Sequence, residues 1–243
     1  SDRQSCLSRP WRALTALYLP SDPRHYCRGQ AECKPSLTPE MTELFIAFQR
    51  LLPSFWLGRL VHWASRVRTP WFKDLLINAF CRLYPVELEE AAEPDTRRYA
   101  SFNAFFTRAL RDGARPQDPD PKAILCPADG RVQQSGPIDR GQLLQAKGML
   151  YGVDELLADP QAVQRYDGGQ FLTVYLAPPD YHRVHIPLAG RLRSMHYAPG
   201  ERWSVNQRTT GAIPRLFAVN ERLCCHFETD SHYFAVVMVG ALN

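Results

Sequence analysis

The sequence lacks several features that mark particular classes of protein. It has no uncharged apolar run of about 18 residues, so no membrane-spanning helix is predicted. Its start has a short apolar run but no apolar core ending at a small-residue cleavage site, which argues against a secretory signal. No long run of like charges is present, so we expect no nucleic-acid partner. The sequence also contains no G-x-S-x-G nucleophile motif.

Cysteine pairs of the C-x-x-C type are also absent, although the chain contains seven cysteines. The number is odd, and Cys224 and Cys225 are adjacent within a strand-like run, where they cannot readily pair with each other. We therefore expect reduced, buried thiols in a protein that faces the cytosol.

The chain divides into three parts by composition. Residues 1–40 are rich in Ser, Pro, Arg and Cys and show no sustained periodicity. The composition changes sharply at Met41, and we interpret residues 1–40 as an irregular extension upstream of the natural start. Residues 41–85 are predicted to be helical. Residues 86–243 are predicted to form the main domain, which we expect to be incomplete at its carboxyl end.

Apolar residues in the 41–85 segment recur at helical spacing, with Pro53 and Pro70 as breaks between two or three short helices. The two predicted apolar faces are Leu44, Phe48, Leu51, Leu52 and Phe55, and then Phe72, Leu75, Leu76, Ala79, Phe80 and Leu83. The segment also holds Trp56, Trp63 and Trp71, with six basic residues, Lys73 among them, against two acidic ones. Such helices either lie on an anionic membrane surface or pack on the protein's own core, and the pattern leaves both open.

The main domain changes its periodicity along its length. Ser101 is a predicted N-cap for one amphipathic helix that contains Phe102, Phe105, Phe106 and Leu110 and ends at Gly113. Beyond residue 122 the segments are short, turn-punctuated and rich in strand patterns, with "GVDELLADPQAV" as a helical interruption. The predicted fold class is α+β, with amino-terminal amphipathic helices packed on an antiparallel, β-rich core.

Three polar residues in this domain are candidates for chemistry. Asp129 lies in "LCPADGRV", where an apolar strand is predicted to lead into a turn, and the same pattern fits a plain turn aspartate. His182 and His185 lie in "DYHRVH", where a predicted strand breaks at a double proline. Each histidine fits a satisfied polar side chain, half of a zinc site, or a general base that an aspartate orients toward a serine hydroxyl. The further ligands that zinc needs do not occur at any recognisable spacing, so we expect no metal.

Several longer motifs carry a family resemblance. They are "SFNAFFTRALRDGARP", "PADG", "LLQAKGMLYGVDELL", "YLAPPDYHRVHIPLAGRLRSMHYAPGERWSVN" and "LFAVNERLCCHFETD". In this order they resemble phosphatidylserine decarboxylase of the bacterial and mitochondrial type, from about residue 41 to the end. Residues 1–40 have no place in that pattern.

The resemblance implies a proenzyme that cuts itself before the serine of a Leu-Gly-Ser-Thr motif. That serine becomes a pyruvoyl group, the covalent cofactor, at the start of an α chain, and the preceding piece is the β chain. Asp129 and His185 match the pair that serves as base for the serine, and His182 matches the residue that manages protons during decarboxylation. The pyruvoyl carbonyl acts as an electron sink when carbon dioxide leaves phosphatidylserine.

The same resemblance sets the expected partners. They are phosphatidylserine, an anionic membrane surface, the α chain and a second copy in a homodimer, with the protein peripheral on the cytoplasmic face of a bacterial membrane. The Leu-Gly-Ser-Thr motif is missing from this sequence, so we interpret the chain as a truncated β-chain portion that is inactive by itself. The alternatives are a non-catalytic peripheral lipid-binding protein, which would use the helices without Asp129 and His185, and a zinc-dependent hydrolase.

Overall fold

In the described part of the chain, three α-helices precede the first strand, four more lie among the strands, and the strands of each sheet pair antiparallel, which confirms the α+β prediction. The computed structural model describes residues 46–47, 49, 54–116, 118–120 and 123–241. The predicted extension at 1–40 lies outside the described residues, as do Leu44, Phe48, Leu51 and Leu52 of the first apolar face. Within the described part, no helix is both long enough and apolar enough to cross a bilayer.

Seven α-helices are described, most of them short. They are α1 Ser54–Arg66, α2 Pro70–Leu83, α3 Phe102–Phe106, α4 Val153–Leu157, α5 Ala162–Tyr166, α6 Gln207–Thr210 and α7 Leu216–Val219, with a 3-10 turn at Thr96–Arg98.

Seven described strands form three antiparallel sheets. The strands are β1 Arg131–Pro137, β2 Gln142–Ala146, β3 Met149–Gly152, β4 Gln170–Tyr175, β5 Arg191–Ala198, β6 Arg222–Glu228 and β7 Tyr233–Val239. The sheets are β1–β4, β2–β3 and β5–β6–β7. Their core contains Ile138, Leu143, Tyr151, Val153, Leu157, Leu216, Phe217 and Cys224.

Helix α2 confirms the helix that was predicted after Pro70, but its buried face differs from the predicted one. Proline occupies the first turn, where its missing N–H costs no hydrogen bond. Ile77 is fully buried, whereas Leu75 and Leu83 of the predicted face are largely exposed. Lys73 is buried too, because its ammonium group donates to the Asp74 carboxylate at 2.6 Å and to the Arg97 carbonyl at 2.9 Å. Lys73 therefore ties α2 to the main domain and is not part of a cationic surface.

Helix α3 is shorter than the sequence indicated. Ser101 is the N-cap as predicted, with its hydroxyl accepting from the Ala104 N–H at 3.2 Å, but the helix ends at Phe106 and not at Gly113. The chain beyond it pairs with an earlier segment, since the Ala92 N–H donates to the Ala109 carbonyl and the Arg111 N–H to the Glu90 carbonyl, both at 2.9 Å. This long-range pairing competes with further helical hydrogen bonds, and a local pattern cannot reveal it.

Three other segments also differ from the sequence pattern. "GVDELLADPQAV" forms two helices, α4 and α5, because Ala158 takes a left-handed conformation with φ of 49° and caps the first. Residues 123–127, expected as a strand before Asp129, form none, and residues 182–190 between β4 and β5 do not form one either. Pro127 and Pro187 lack the N–H that a regular ladder needs.

A buried glutamine connects β2 to the segment before α7. Gln145 is 2% exposed, and its amide donates to the carbonyls of Thr210 at 2.8 Å and Ile213 at 2.7 Å. Its carbonyl accepts from the Leu216 N–H at 2.8 Å. The side chain thus satisfies three backbone groups that no strand partner reaches.

Replacing Gln145 by leucine tests the contribution of these bonds. Leucine has a similar volume but leaves three buried backbone groups unpaired, at a cost of about 1–3 kcal/mol for each such group. We expect Gln145→Leu to lower the free energy of unfolding by about 3 kcal/mol or more, measured by urea denaturation. Gln142→Leu is the matched control, because it makes the same change at an exposed position of β2. Equal stability of the two variants would contradict this account.

Candidate active site

Two segments that are far apart in sequence lie side by side next to the end of β4. The Leu125 N–H donates to the Pro187 carbonyl at 2.8 Å, and the His185 N–H donates to the Pro127 carbonyl at 2.7 Å. These two bonds align the segment that leads to Asp129 with the segment that contains His185. The juxtaposition of the Asp129 turn with the histidine segment is therefore built into the backbone.

Gly130 explains why the Asp129 turn can approach β4 so closely. A Cβ atom at Gly130 would lie 2.4 Å from the Tyr175 carbonyl oxygen, a distance that only glycine avoids. The next residue, Arg131, pairs with Tyr175 in the β1–β4 ladder. The turn is thus fixed at the strand end from which the histidine segment begins.

The carboxylate of Asp129 is bound by Arg115. The Arg115 Nε donates to Oδ1 at 3.2 Å and to Oδ2 at 3.0 Å, and Nη2 donates to Oδ2 at 2.5 Å. Nη2 also donates to Glu90 at 2.6 Å, so one guanidinium bridges two carboxylates. Burial disfavours the charged guanidinium, but the bonds to Asp129 and Glu90 outweigh it and raise the pKa of Arg115.

The second carboxylate of this bridge responds to the same guanidinium. The hydrogen bond from Arg115 is the main cause that lowers the pKa of Glu90, and partial burial opposes it. Glu90 lies in the segment that pairs with Ala109–Arg111. The bridge therefore connects that segment, Arg115 and the Asp129 turn, and it holds the turn in place.

His185 is solvent-exposed, and one of its ring nitrogens is occupied. The Tyr181 hydroxyl lies 3.0 Å from Nε2, and the two rings stack at 5.6 Å with an interplanar angle of 21°. Tyr181 itself is 6% exposed, so a buried residue fixes the orientation of an exposed imidazole. The neighbours Val184 and Ile186 are exposed apolar residues, which leaves this stretch open to contact.

His182 has a different environment. Its Nδ1 lies 2.8 Å from the Asp180 carbonyl oxygen, and because a carbonyl can only accept, Nδ1 carries the hydrogen. In the neutral ring Nε2 then keeps its lone pair. Burial is the main cause that lowers the pKa of His182, and the hydrogen bond to Asp180 opposes it. The ring is therefore neutral at pH 7 and has a basic nitrogen available.

The structure brings the three predicted site residues into one region but does not join them. Both side chains of the predicted pair are described, and the hydrogen bonds of Asp129 go to Arg115 while that of His185 goes to Tyr181. A carboxylate has about four acceptor positions, and Arg115 leaves one of them open on Oδ1. Asp129 can thus accept a further bond while it remains clamped.

Sequence reasoning did not identify Arg115, Glu90 or Tyr181 as members of the site. Arg115 and Glu90 are 25 positions apart and meet only through the pairing beside α3. Tyr181 stands inside "DYHRVH", where its place between Asp180 and His182 was the one available signal. Among the residues that the structure describes, no group of three potential metal ligands lies close enough to hold an ion.

The arrangement is suited to proton transfer. It contains a clamped carboxylate, an exposed histidine whose backbone is hydrogen-bonded to the segment leading to that carboxylate, and a second histidine that is half-buried and neutral. A serine hydroxyl placed at His185 would find an imidazole that a carboxylate can orient, which is the arrangement that activates nucleophiles in hydrolases.

Comparisons with known proteins identify relatives of this chain. A family model described as phosphatidylserine decarboxylase matches residues 102–243, and a second one, described as PSD, matches residues 44–85. The phosphatidylserine decarboxylase proenzyme of Pseudomonas aeruginosa strain LESB58 is 54% identical over 200 residues, which cover 82% of this chain and 69% of the relative. The proenzyme of the same name from Methylococcus capsulatus is 50% identical over 201 residues, with 82% and 70% covered.

A further relative gives the same result. The phosphatidylserine decarboxylase proenzyme of Alkalilimnicola ehrlichii is 52% identical over 193 residues, which cover 79% of this chain and 67% of the relative. The matched regions include the helical segment, the Asp129 turn and both histidines. The chain therefore belongs to the phosphatidylserine decarboxylase family.

Proposed function

We propose that this chain provides the carboxylate and imidazole groups of a phosphatidylserine decarboxylase, which releases carbon dioxide from phosphatidylserine and leaves phosphatidylethanolamine. Membership of the family supports the reaction. The observation that carries the assignment of residues is the bond from the His185 N–H to the Pro127 carbonyl, 2.7 Å long, which sets "DYHRVH" against "PADG". The enzyme is a lyase made as a proenzyme, as its relatives are named.

Asp129 and His185 act in the first stage, the activation of a serine during self-cleavage. His185 accepts the hydroxyl proton, and Asp129 orients the imidazole and stabilises its charged form. The serine comes from a segment that this sequence does not include, since it contains no Leu-Gly-Ser-Thr. The exposure of Val184, His185 and Ile186 supports this, because a further piece of chain can reach them.

The cofactor that we propose is a pyruvoyl group made from that serine. The residues present fit such a group, because an exposed imidazole and a clamped carboxylate on two hydrogen-bonded segments are the groups that a serine precursor needs. A pyruvoyl group supplies a carbonyl that binds the substrate amine and draws electrons from the bond that breaks. The chain itself supplies the proton chemistry around that carbonyl.

His182 acts in the second stage, after the chain has been cut. Once carbon dioxide has left, a proton must be delivered to the substrate carbon, and an imidazole with a basic nitrogen that can take up a proton and pass it on suits this task. The Nδ1–H bond to Asp180 fixes the tautomer, so proton exchange takes place at Nε2. The two histidines thus differ in task because they differ in exposure and in partners.

Helices α1 and α2 form the surface that we propose docks on the membrane. Trp56, Trp63 and Trp71 are 68%, 63% and 70% exposed. So many exposed indole rings are unusual on a surface that contacts only water. The exposed arginines of these helices and their connection are Arg59, Arg66, Arg68 and Arg82. Aromatic rings with arginines favour the interface of an anionic bilayer, and we propose a peripheral location on the cytoplasmic face of a bacterial membrane. The homodimer stays a prediction.

Self-cleavage separates the roles of the site residues. In a full-length proenzyme with its serine, Asp129→Asn or His185→Ala should leave a single band on a denaturing gel, because the serine lacks an oriented base. His182→Ala should still be cut into two chains, yet release carbon dioxide about 10²–10⁴ times more slowly. Electrophoresis and a carbon dioxide release assay measure the two stages.

His196→Ala is the matched control for the histidine changes, since His196 lies on β5 and bonds to the Leu157 carbonyl, away from the site. It should mature and decarboxylate as the parent protein does. A His182→Ala proenzyme that stays uncut while His185→Ala matures would show that the roles are exchanged. Full activity in both variants would rule out the proposed site.

Vesicle binding tests the docking surface. Arg66→Gln with Arg68→Gln should weaken binding to phosphatidylserine-containing vesicles about 30-fold at low salt, since each arginine near an anionic surface contributes about 1 kcal/mol. Trp63→Ala with Trp71→Ala should weaken binding at high salt as well, because apolar contacts are not screened. Sedimentation with vesicles measures both effects.

Two controls accompany the vesicle assay. Arg208→Gln and Tyr233→Ala alter an exposed arginine and an exposed aromatic residue outside α1 and α2, and they should leave binding unchanged. Equal losses of vesicle binding in the control variants and the helix variants would contradict the assignment of the docking surface to α1 and α2.

A further inference from the structure

Three consecutive residues at the end of α3 contact the loop that contains His182. The Phe106 ring lies against the His182 ring with centroids 4.0 Å apart. The Thr107 carbonyl accepts from the Arg183 Nε at 2.8 Å, and the Arg108 Nη2 donates to the Pro179 carbonyl at 3.2 Å. The loop is therefore held before, at and after His182 by one short stretch of chain.

Arg108 is an unusual residue for this position. It is 4% exposed, and its Nε has no hydrogen-bond partner among the described residues. Burial is the main cause that lowers its pKa, and its guanidinium lies 5.7 Å from the centre of the Phe105 ring. Burying a cation costs free energy unless it is compensated. The burial of Arg108 at this position therefore suggests that the residue has a function.

The charged groups that act on His182 are few among the described residues. Asp180, in its own loop, favours the protonated imidazole, and Arg108, from the segment packed against the loop, disfavours it. Phe106 covers one face of the ring and contributes to its burial, the largest cause of the lowered pKa. Phe106 and Arg108 thus act on His182 in the same direction.

We propose that Phe106 and Arg108 are positioning residues for His182: Phe106 fixes the plane of the imidazole, and Arg108 fixes the loop through the Pro179 carbonyl. Neither residue donates or accepts a proton in the reaction. This inference rests on the proposed role of His182 in decarboxylation, and it adds the residues that hold the ring in place. It leaves self-cleavage to Asp129 and His185.

Substitution of Phe106 in the mature enzyme is the first test. Phe106→Ala uncovers the imidazole, so the pKa of His182 should rise, and kcat should fall about 100-fold because the proton donor is misplaced, while KM changes little. Phe106→Leu keeps most of the volume and should show smaller changes in the same direction. The pH at which kcat is half-maximal should move upward together with the pKa measured by NMR of labelled histidines.

Phe102→Ala is the matched control. Phe102 lies one turn earlier on α3, is half-buried like Phe106 and stacks on it at 5.9 Å, so its loss perturbs the same packing. Its ring contacts do not include His182. It should therefore lower thermal stability without moving the pKa of His182 or the pH profile.

Arg108→Met is the second test, with Arg111→Met as control at a nearby exposed position. Loss of the cation should raise the pKa of His182 and lower kcat, while the proenzyme is still cut into two chains. The proposal is overturned if Phe106→Ala, Phe106→Leu and Arg108→Met all leave the pKa of His182 and the pH profile as they are in the controls. If His182→Ala decarboxylates normally, the proposed function fails, whereas the NMR titration still decides whether Phe106 and Arg108 control this imidazole.

Discussion

Aromatic contacts around Phe80 hold the helical part of the molecule against the site. Phe80 of α2 lies edge-on to Phe102, Phe105 and Phe106 of α3, with ring centroids 5.3, 6.1 and 5.9 Å apart. Each such pair contributes about 0.5–1.5 kcal/mol beyond the burial of its area. Because Phe106 also covers His182, one cluster links the proposed membrane surface to a proposed catalytic imidazole. The packing of α2 on α3 therefore contributes to the position of Phe106 over the His182 ring.

Buried polar side chains hold the β-rich part together where its small sheets end. Asn220 is fully buried, and its amide exchanges hydrogen bonds with both backbone groups of Trp203 and donates to the Gly240 carbonyl. Arg222 donates to four backbone carbonyls that belong to α4, α7 and the turn before β6. These residues satisfy backbone groups that longer strands would have paired. The sheets can thus stay short without leaving the loops between them unsatisfied.

Electrostatics divides the site into two halves. On one side Arg115 balances Glu90 and Asp129, which keeps two carboxylates close together without repulsion. On the other side the His182 ring contacts Phe106 and lies near Arg108, and its burial lowers its pKa. A charged half and a neutral half next to each other suit the two proposed stages, which need different proton carriers.

The sequence alone determined the class of fold, the helix after Pro70, the Ser101 cap and the strands β1 and β4 to β7, because each depends on spacing, turn residues or caps that act over a few positions. The motif order also identified the family and, through it, led to the prediction that Asp129, His182 and His185 form the site. Only the tertiary structure decided that α3 stops at Phe106, that Arg115 clamps Asp129, and that Phe106 and Arg108 close on the His182 loop. These features arise from contacts between residues from 14 to more than 70 positions apart. Partners at such distances leave no periodicity in the sequence, since the fold alone brings them together.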